Sequence, residues 1–200
     1  MPKRFKYIAG IDEAGRGPLA GPVVAGCVVF KDLPDFDLQD SKRLSSKKRE
    51  SLFFKIKQSS WFSFGLVNAE VIDEINILNA AHLAFSKAIK AFLGKYQIGK
   101  EDILFIIDGP FFKPFLGIDV YYNCVVKADT FIPEVSAASI LAKVLRDKIM
   151  ISYGKVFPCW GFSRHKGYPT LEHRNRIKIN GLSPLHRRSF GRYLGHLRHS

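Results

Sequence analysis

The chain has 200 residues, 46% of them hydrophobic, and carries 31 Lys and Arg against 18 Asp and Glu, a net charge of +13. That content suits one sizeable domain with its own core. No apolar run approaches the ~20 residues that cross a bilayer, and no leader-like apolar stretch opens the chain. Three scattered cysteines, Cys27, Cys124 and Cys159, make neither a disulfide framework nor a zinc site. The expectation is a cytoplasmic, monomeric protein that engages no membrane.

A strand is expected at 5–11. It runs into "IDEAGRGPLAGP" (11–22), where Asp12 and Glu13 abut Gly15, Arg16 and Gly17. Glycine turns after strands cradle phosphates with backbone N–H groups, and adjacent carboxylates would repel such a ligand. Gly15, Gly17 and Ala20 also satisfy G-x-G-x-x-[GA], the dinucleotide fingerprint. That pattern should open a helix, yet Pro18, Gly21 and Pro22 lead into a second strand, "VVAGCVVF" at 23–30. A short helix near 47–58 and a strand at 61–68 follow. Ala81, Leu83, Ala84, Ala88, Ala91 and Phe92 recur at helical period within 70–93. "ILFIID" at 103–108 and "DVYYNCVVKAD" at 119–129 read as strands by β-branched and aromatic content. Residues 134–152 form the clearest helix, behind Pro133, and further helices are expected near 170–179 and 184–195. Strands first and alternation later imply an α/β mixed sheet flanked by helices. The division is a catalytic domain at 1–153 and a basic C-terminal helical segment at 154–200.

Asp12–Glu13, Asp108 and Asp129 each fall at the C-terminal end of an expected strand, where open α/β sheets place their ligand crevice. Four converging carboxylates require cations between them, and an all-oxygen set suits Mg²⁺ or Mn²⁺. A metal pair answers the paradox of acids beside a phosphate-binding turn, because ions stand between acid and polyanion. Since neighbouring strand residues face opposite ways, Asp12 and Glu13 share a site only if the strand ends or bends between them. On the helix after Asp129, Ser136, Ser139, Lys143 and Arg146 share a polar face, which either holds phosphates or is merely solvated.

From Gly154 onward ten Lys or Arg face one acid, Glu172, a net of +9. This asymmetry points to a polyanionic partner, with a solubilising surface as the alternative. Interleaved aromatics such as Trp160, Tyr168 and Phe190 favour nucleic acid.

"GIDEAGRGPLAGPVVAG" closely resembles the signature of bacterial ribonuclease HII, the type 2 ribonuclease H family. The resemblance continues, in the family's order, through "DSKRLS" (40–45), "INILNAA" (75–81), "IIDG" (106–109), "KADTFIPEVSAASILAKVLRD" (127–147), "HKGYPTLEH" (165–173) and "LHRRSF" (185–190). It implies an RNase H-like mixed five-stranded sheet with a small C-terminal helical appendage. It implies an endonuclease on RNA–DNA hybrids that also incises 5′ of single ribonucleotides in duplex DNA, leaving 5′-phosphate and 3′-hydroxyl ends. By matching position, Asp12, Glu13, Asp108 and Asp129 hold the metals, and Gly15, Arg16, Gly17 and Tyr168 read the ribose 2′-hydroxyl, the group that separates RNA from DNA. Lys42, Ser139, Lys143, Arg146 and Lys166 are phosphate-binding candidates. One departure is Ala128, where the family usually shows glycine; a positive φ there would strain an alanine. Another nuclease on the same sheet would not need the 2′-hydroxyl, and a non-catalytic RNA-binding module would not need four gathered acids.

Overall fold

A computed structural model describes residues 4–38 and 44–193. Five strands, β1 (Tyr7–Ala14), β2 (Val23–Phe30), β3 (Ser60–Val67), β4 (Ile103–Asp108) and β5 (Tyr121–Val125), form one sheet in the order β3-β2-β1-β4-β5. The first three are joined antiparallel, while β4 and β5 run parallel to β1. The mixed sheet expected from the sequence is therefore present.

Helix α2 (Ala69–Lys95) covers one face. Its Ala84, Phe85, Ala88, Ile89 and Phe92 pack on Ala9, Ile11, Ala25, Cys27 and Phe105 of the strands. Helices α1 (Ser46–Ser59) and α3 (Pro133–Val156) cover the other, where Ala137, Ala138, Ile140 and Leu141 meet Val28, Leu52 and Ile56. Each large aliphatic side chain buried this way contributes about 1.5–3 kcal/mol. α3 comes close to the strands because Gly10 and Gly26 have no side chain. A Cβ on Gly10 would stand 2.1 Å from the Glu134 carbonyl carbon, and one on Gly26 would stand 2.6 Å from the Ala138 oxygen.

Besides β1, which runs three residues past its expected end at 11, three elements differ from expectation. The helix over 70–93 restarts at Asn76, whose φ of 66° interrupts it and whose side chain caps Leu78 and Asn79. The last strand is shorter than 119–129: Lys127 turns left-handed at φ 59°, and Asp129 lies in a 3-10 turn, Ala128–Thr130. Over 184–195 there is no α-helix among the described residues. A 3-10 turn, Arg188–Tyr193, stands there instead, held by the Asp73 carboxylate, which accepts the N–H groups of Arg188 and Ser189. Two short helices of the tail, α4 (Phe162–His165) and α5 (Leu171–Asn180), precede it.

Candidate active site

β1 does not end between its two acids but runs on to Ala14, still paired with β2. Its pairing with β4 stops at Ile11↔Ile107. The edge beside Asp12 and Glu13 is thus open where Asp108 completes β4, and this lets residues of opposite strand faces meet one neighbour. Asp12 is buried, its Oδ1 accepting the Glu13 N–H at 2.7 Å and its carboxylate bonded to the Ser139 hydroxyl. Glu13 meets Arg16 at 3.3 Å. Asp108 accepts the Ala128 N–H at 2.8 Å, which ties β4 to the turn carrying the buried Asp129. The positive φ in that turn belongs to Lys127 and not to Ala128, so the alanine is unstrained.

Burial raises the Asp12 carboxyl well above the ordinary range, with Glu13 and then Asp108 adding repulsion. Glu13 is also raised, first by burial; Arg16 opposes the shift and Asp108 adds to it. These acids repel one another in a poorly hydrated place, and a hard cation relieves that repulsion. The donor set fits Mg²⁺ or Mn²⁺, although among the described residues no three His, Cys, Asp or Glu side chains are grouped as ready-made ligands.

The turn after β1 is built around two buried arginines. Arg187, from the tail, donates to the carbonyls of Gly15 (2.6 Å), Arg16 (3.1 Å), Pro18 (2.8 Å) and Gly21 (2.8 and 3.0 Å). Arg146, from α3, donates to Pro22 (2.9 Å), Ala20 (3.1 Å) and Lys166 (3.1 Å). Both are 0% exposed. Burial pulls Arg187 down to about 9, with Arg146 adding to the shift, and Arg146 itself is lowered by burial, yet Arg187 stays charged near neutrality. Gly15 has φ 105°, and a Cβ there would stand 2.3 Å from the Arg146 Nε. Gly17 has nothing within 4 Å of its missing Cβ and is exposed.

Arg146 must therefore be removed from the phosphate-binding candidates: its guanidinium is turned inward and fully engaged. The ammonium of Lys166 folds back on the Ser163 and Arg164 carbonyls. Lys42 lies outside the described residues. Ser139, Lys143 and Tyr168, by contrast, line one groove of about 290 Å³ with Glu13, Gly15 and Arg49. Nothing in the sequence marks Arg49, because a lone arginine in a charged helix carries no signal of what it faces. Tyr168 is 37% exposed, beneath the Lys143 ammonium at 5.1 Å. The tail reaches this region through backbone bonds, Leu19 N–H to Gly167, Gly21 N–H to Leu185 and Arg187 N–H to Leu19. Its surface is less basic than its +9 suggests, because Arg187 is interior and Arg164 and Arg176 both pair with Glu172.

A sheet of this order, flanked this way, is an RNase H-like fold, and solved structures agree. A ribonuclease H2 from Pyrococcus horikoshii OT3 superposes with a TM-score of 0.73 at 27% identity, covering 94% of this chain and 97% of that one. The ribonuclease HII family model matches residues 9–193. Over 190 residues the chain is 48% identical to ribonuclease HII of Clostridioides difficile (strain 630), covering 94% of this chain and 71% of that protein. The same protein of Acholeplasma laidlawii (strain PG-8A) is 45% identical, covering 94% and 89%. The chain belongs to the ribonuclease HII family. It is an enzyme, a nuclease of the ribonuclease H type.

Proposed function

We propose that this enzyme cleaves the RNA strand of RNA–DNA hybrids and incises 5′ of a single ribonucleotide embedded in duplex DNA, leaving 5′-phosphate and 3′-hydroxyl ends. The observation that carries this reading is the adjacency of the mutually repelling acids Asp12, Glu13 and Asp108 to the turn at Gly15–Gly17. Asp12, Glu13, Asp108 and Asp129 would hold two divalent ions, Mg²⁺ or Mn²⁺. Bound there, such ions activate water and stabilise a leaving oxygen. With the Gly15 and Arg16 carbonyls turned to Arg187, the amides of the turn remain for the 2′-hydroxyl. Tyr168 packs against the sugar on the 3′ side, where a deoxyribose fits a flat ring better than a ribose. Ser139, Lys143 and Arg49 border the same groove; the Lys143 ammonium and the Arg49 guanidinium, held here by Asp147 and the Leu44 carbonyl, would turn to the phosphodiester backbone. The tail from residue 154 onward completes this cleft.

The test is a DNA duplex with one ribonucleotide, incubated with Mg²⁺, with Mg²⁺ and excess EDTA, and beside an all-DNA duplex. Incision at the ribonucleotide alone, abolished by EDTA, is expected. Cleavage of the all-DNA duplex at a similar rate would sink the 2′-hydroxyl reading, and EDTA-resistant cleavage would sink the metal reading.

A further inference from the structure

The tail buries three histidines for which the proposed chemistry has no use. His165, His173 and His186 are all buried, and the rings of the first two stack with centroids 4.1 Å apart. The Ser183 N–H donates to His186 Nδ1 at 2.8 Å. A ring nitrogen that accepts an N–H carries no proton, so the proton of a neutral His186 is on Nε2. That atom lies 3.1 Å from His173 Nε2. His173 Nδ1 in turn lies 2.9 Å from the Tyr168 carbonyl, which can only accept. Only one filling satisfies all three bonds: Ser183 N–H to His186, His186 Nε2–H to His173, and His173 Nδ1–H to Tyr168. The Tyr168 N–H goes to the His165 carbonyl at 2.9 Å. His165 is itself fixed, accepting from Gly167 and bonded to the Trp160 carbonyl.

We propose that Ser183, His186 and His173 form a proton-ordered relay whose last bond, to the Tyr168 carbonyl, sets where the Tyr168 ring stands in the cleft. His173 and His186 are then positioning residues for recognition of the ribonucleotide junction. The proposal rests on the reading of Tyr168 as the ring that meets the neighbouring sugar. Burial keeps both relay rings neutral, each drawn down to about 4, with His165 adding to the effect on His173 and His173 to that on His186. Glu172 is the acid that opposes the shift at His173, and Arg164 and Arg176 face His165 from α4 and α5. A charged His173 would point an N–H at the N–H of His186, and the relay would open. Simple space-filling would need no such order of protons.

Two measurements decide it. Two-bond ¹H–¹⁵N spectra of the whole protein at pH 7 should show His173 as the Nδ1–H tautomer and His186 as the Nε2–H tautomer; the opposite tautomer at either ring overturns the relay whatever Tyr168 does. Rates on the single-ribonucleotide duplex and on uninterrupted hybrid are then compared for His173→Ala, His173→Asn, His186→Gln and Tyr168→Ala. His173→Ala should lose about five- to tenfold on the single ribonucleotide, the size of one hydrogen bond, and less on hybrid. His173→Asn, whose amide can still donate to Tyr168, should recover to within about twofold of wild type. His186→Gln keeps a donor towards His173 Nε2 and should resemble His173→Asn, a comparison that stands even if His173→Ala folds poorly. Equal losses on both substrates for His173→Ala, beside a selective Tyr168→Ala, would overturn the positioning role alone. An unselective Tyr168→Ala would overturn the reading of the ring, and with it the role of the relay in junction recognition.

Discussion

The two ends of the Gly15–Pro22 turn bury charge in opposite ways. On one side Asp12 and Glu13 lie beside Asp108 with repulsion added to desolvation, which raises both carboxyls above their ordinary range. On the other, Arg146 and Arg187 lose the same hydration but receive a cage of backbone carbonyls. Buried charge that is fully hydrogen-bonded is structure, whereas buried charge left in conflict awaits a ligand. That contrast, more than the sign of the charge, separates the residues that hold the turn from those proposed to act beside it.

Breaking the satisfied side should cost the most. Arg187→Met strips hydrogen bonds from four carbonyls in a closed space, and each buried orphan costs about 1–3 kcal/mol. The expected loss of stability is more than about 3 kcal/mol, read from denaturant midpoints. A midpoint close to wild type would show that water replaces the guanidinium. On the conflicted side, Asp108→Asn and Asp129→Asn should each slow cleavage by at least about a hundredfold, the scale of losing one electrostatic stabiliser. Affinity for hybrid at moderate Mg²⁺ should stay near wild type, and Asp12→Asn should not destabilise the fold, since it removes repulsion. Filter-binding and thermal melts beside single-turnover rates check both halves.

Acid tests the tail. His173 and His186 titrate near 6.5 when unfolded and about 4 when folded. Between those values the unfolded chain binds more protons, so stability is complete above about pH 6.5, falls as pH drops towards 4, and levels off below. The contribution is at most about 3 kcal/mol per ring. Urea midpoints across that range should follow this slope, and His186→Gln should flatten it. Tyr168→Ala should lose roughly 1–3 kcal/mol of transition-state stabilisation, or about ten- to a hundredfold, mainly on single ribonucleotides. Least of all, Glu172→Gln removes a surface partner from Arg164 and Arg176 and should leave the denaturant midpoint almost unchanged. A larger shift would mean that this pair braces the histidines beneath it.

The parts of the molecule with strong periodicity were legible in advance. β2, β4 and α3 fell within a few residues of their expected bounds because their apolar patterns repeat over whole elements. The acids stood out as carboxylates where strands were expected to stop, although only Asp108 ends one and β1 runs past Asp12 and Glu13 to Ala14. Asp129 was misplaced onto a strand because "YYNCVV" is rich in β-formers, and nothing in the letters marks Lys127 as left-handed. Arg146 and Arg187 were illegible for a deeper reason. A sequence displays charge but not desolvation, so an arginine bound for the interior looks like any other in a basic segment. The 3-10 turn at the tail was hidden likewise, because it depends on Asp73, more than a hundred residues earlier.

The bond from Arg187 to Gly21 spans 166 residues of chain. On a ribosome adding about 5–20 residues each second, the two partners emerge roughly 10–30 seconds apart. For that interval the sheet and its acids can assemble while the turn beside them has only half its frame. The scaffold can therefore form first, and the turn takes its final frame only once Arg187 has left the ribosome.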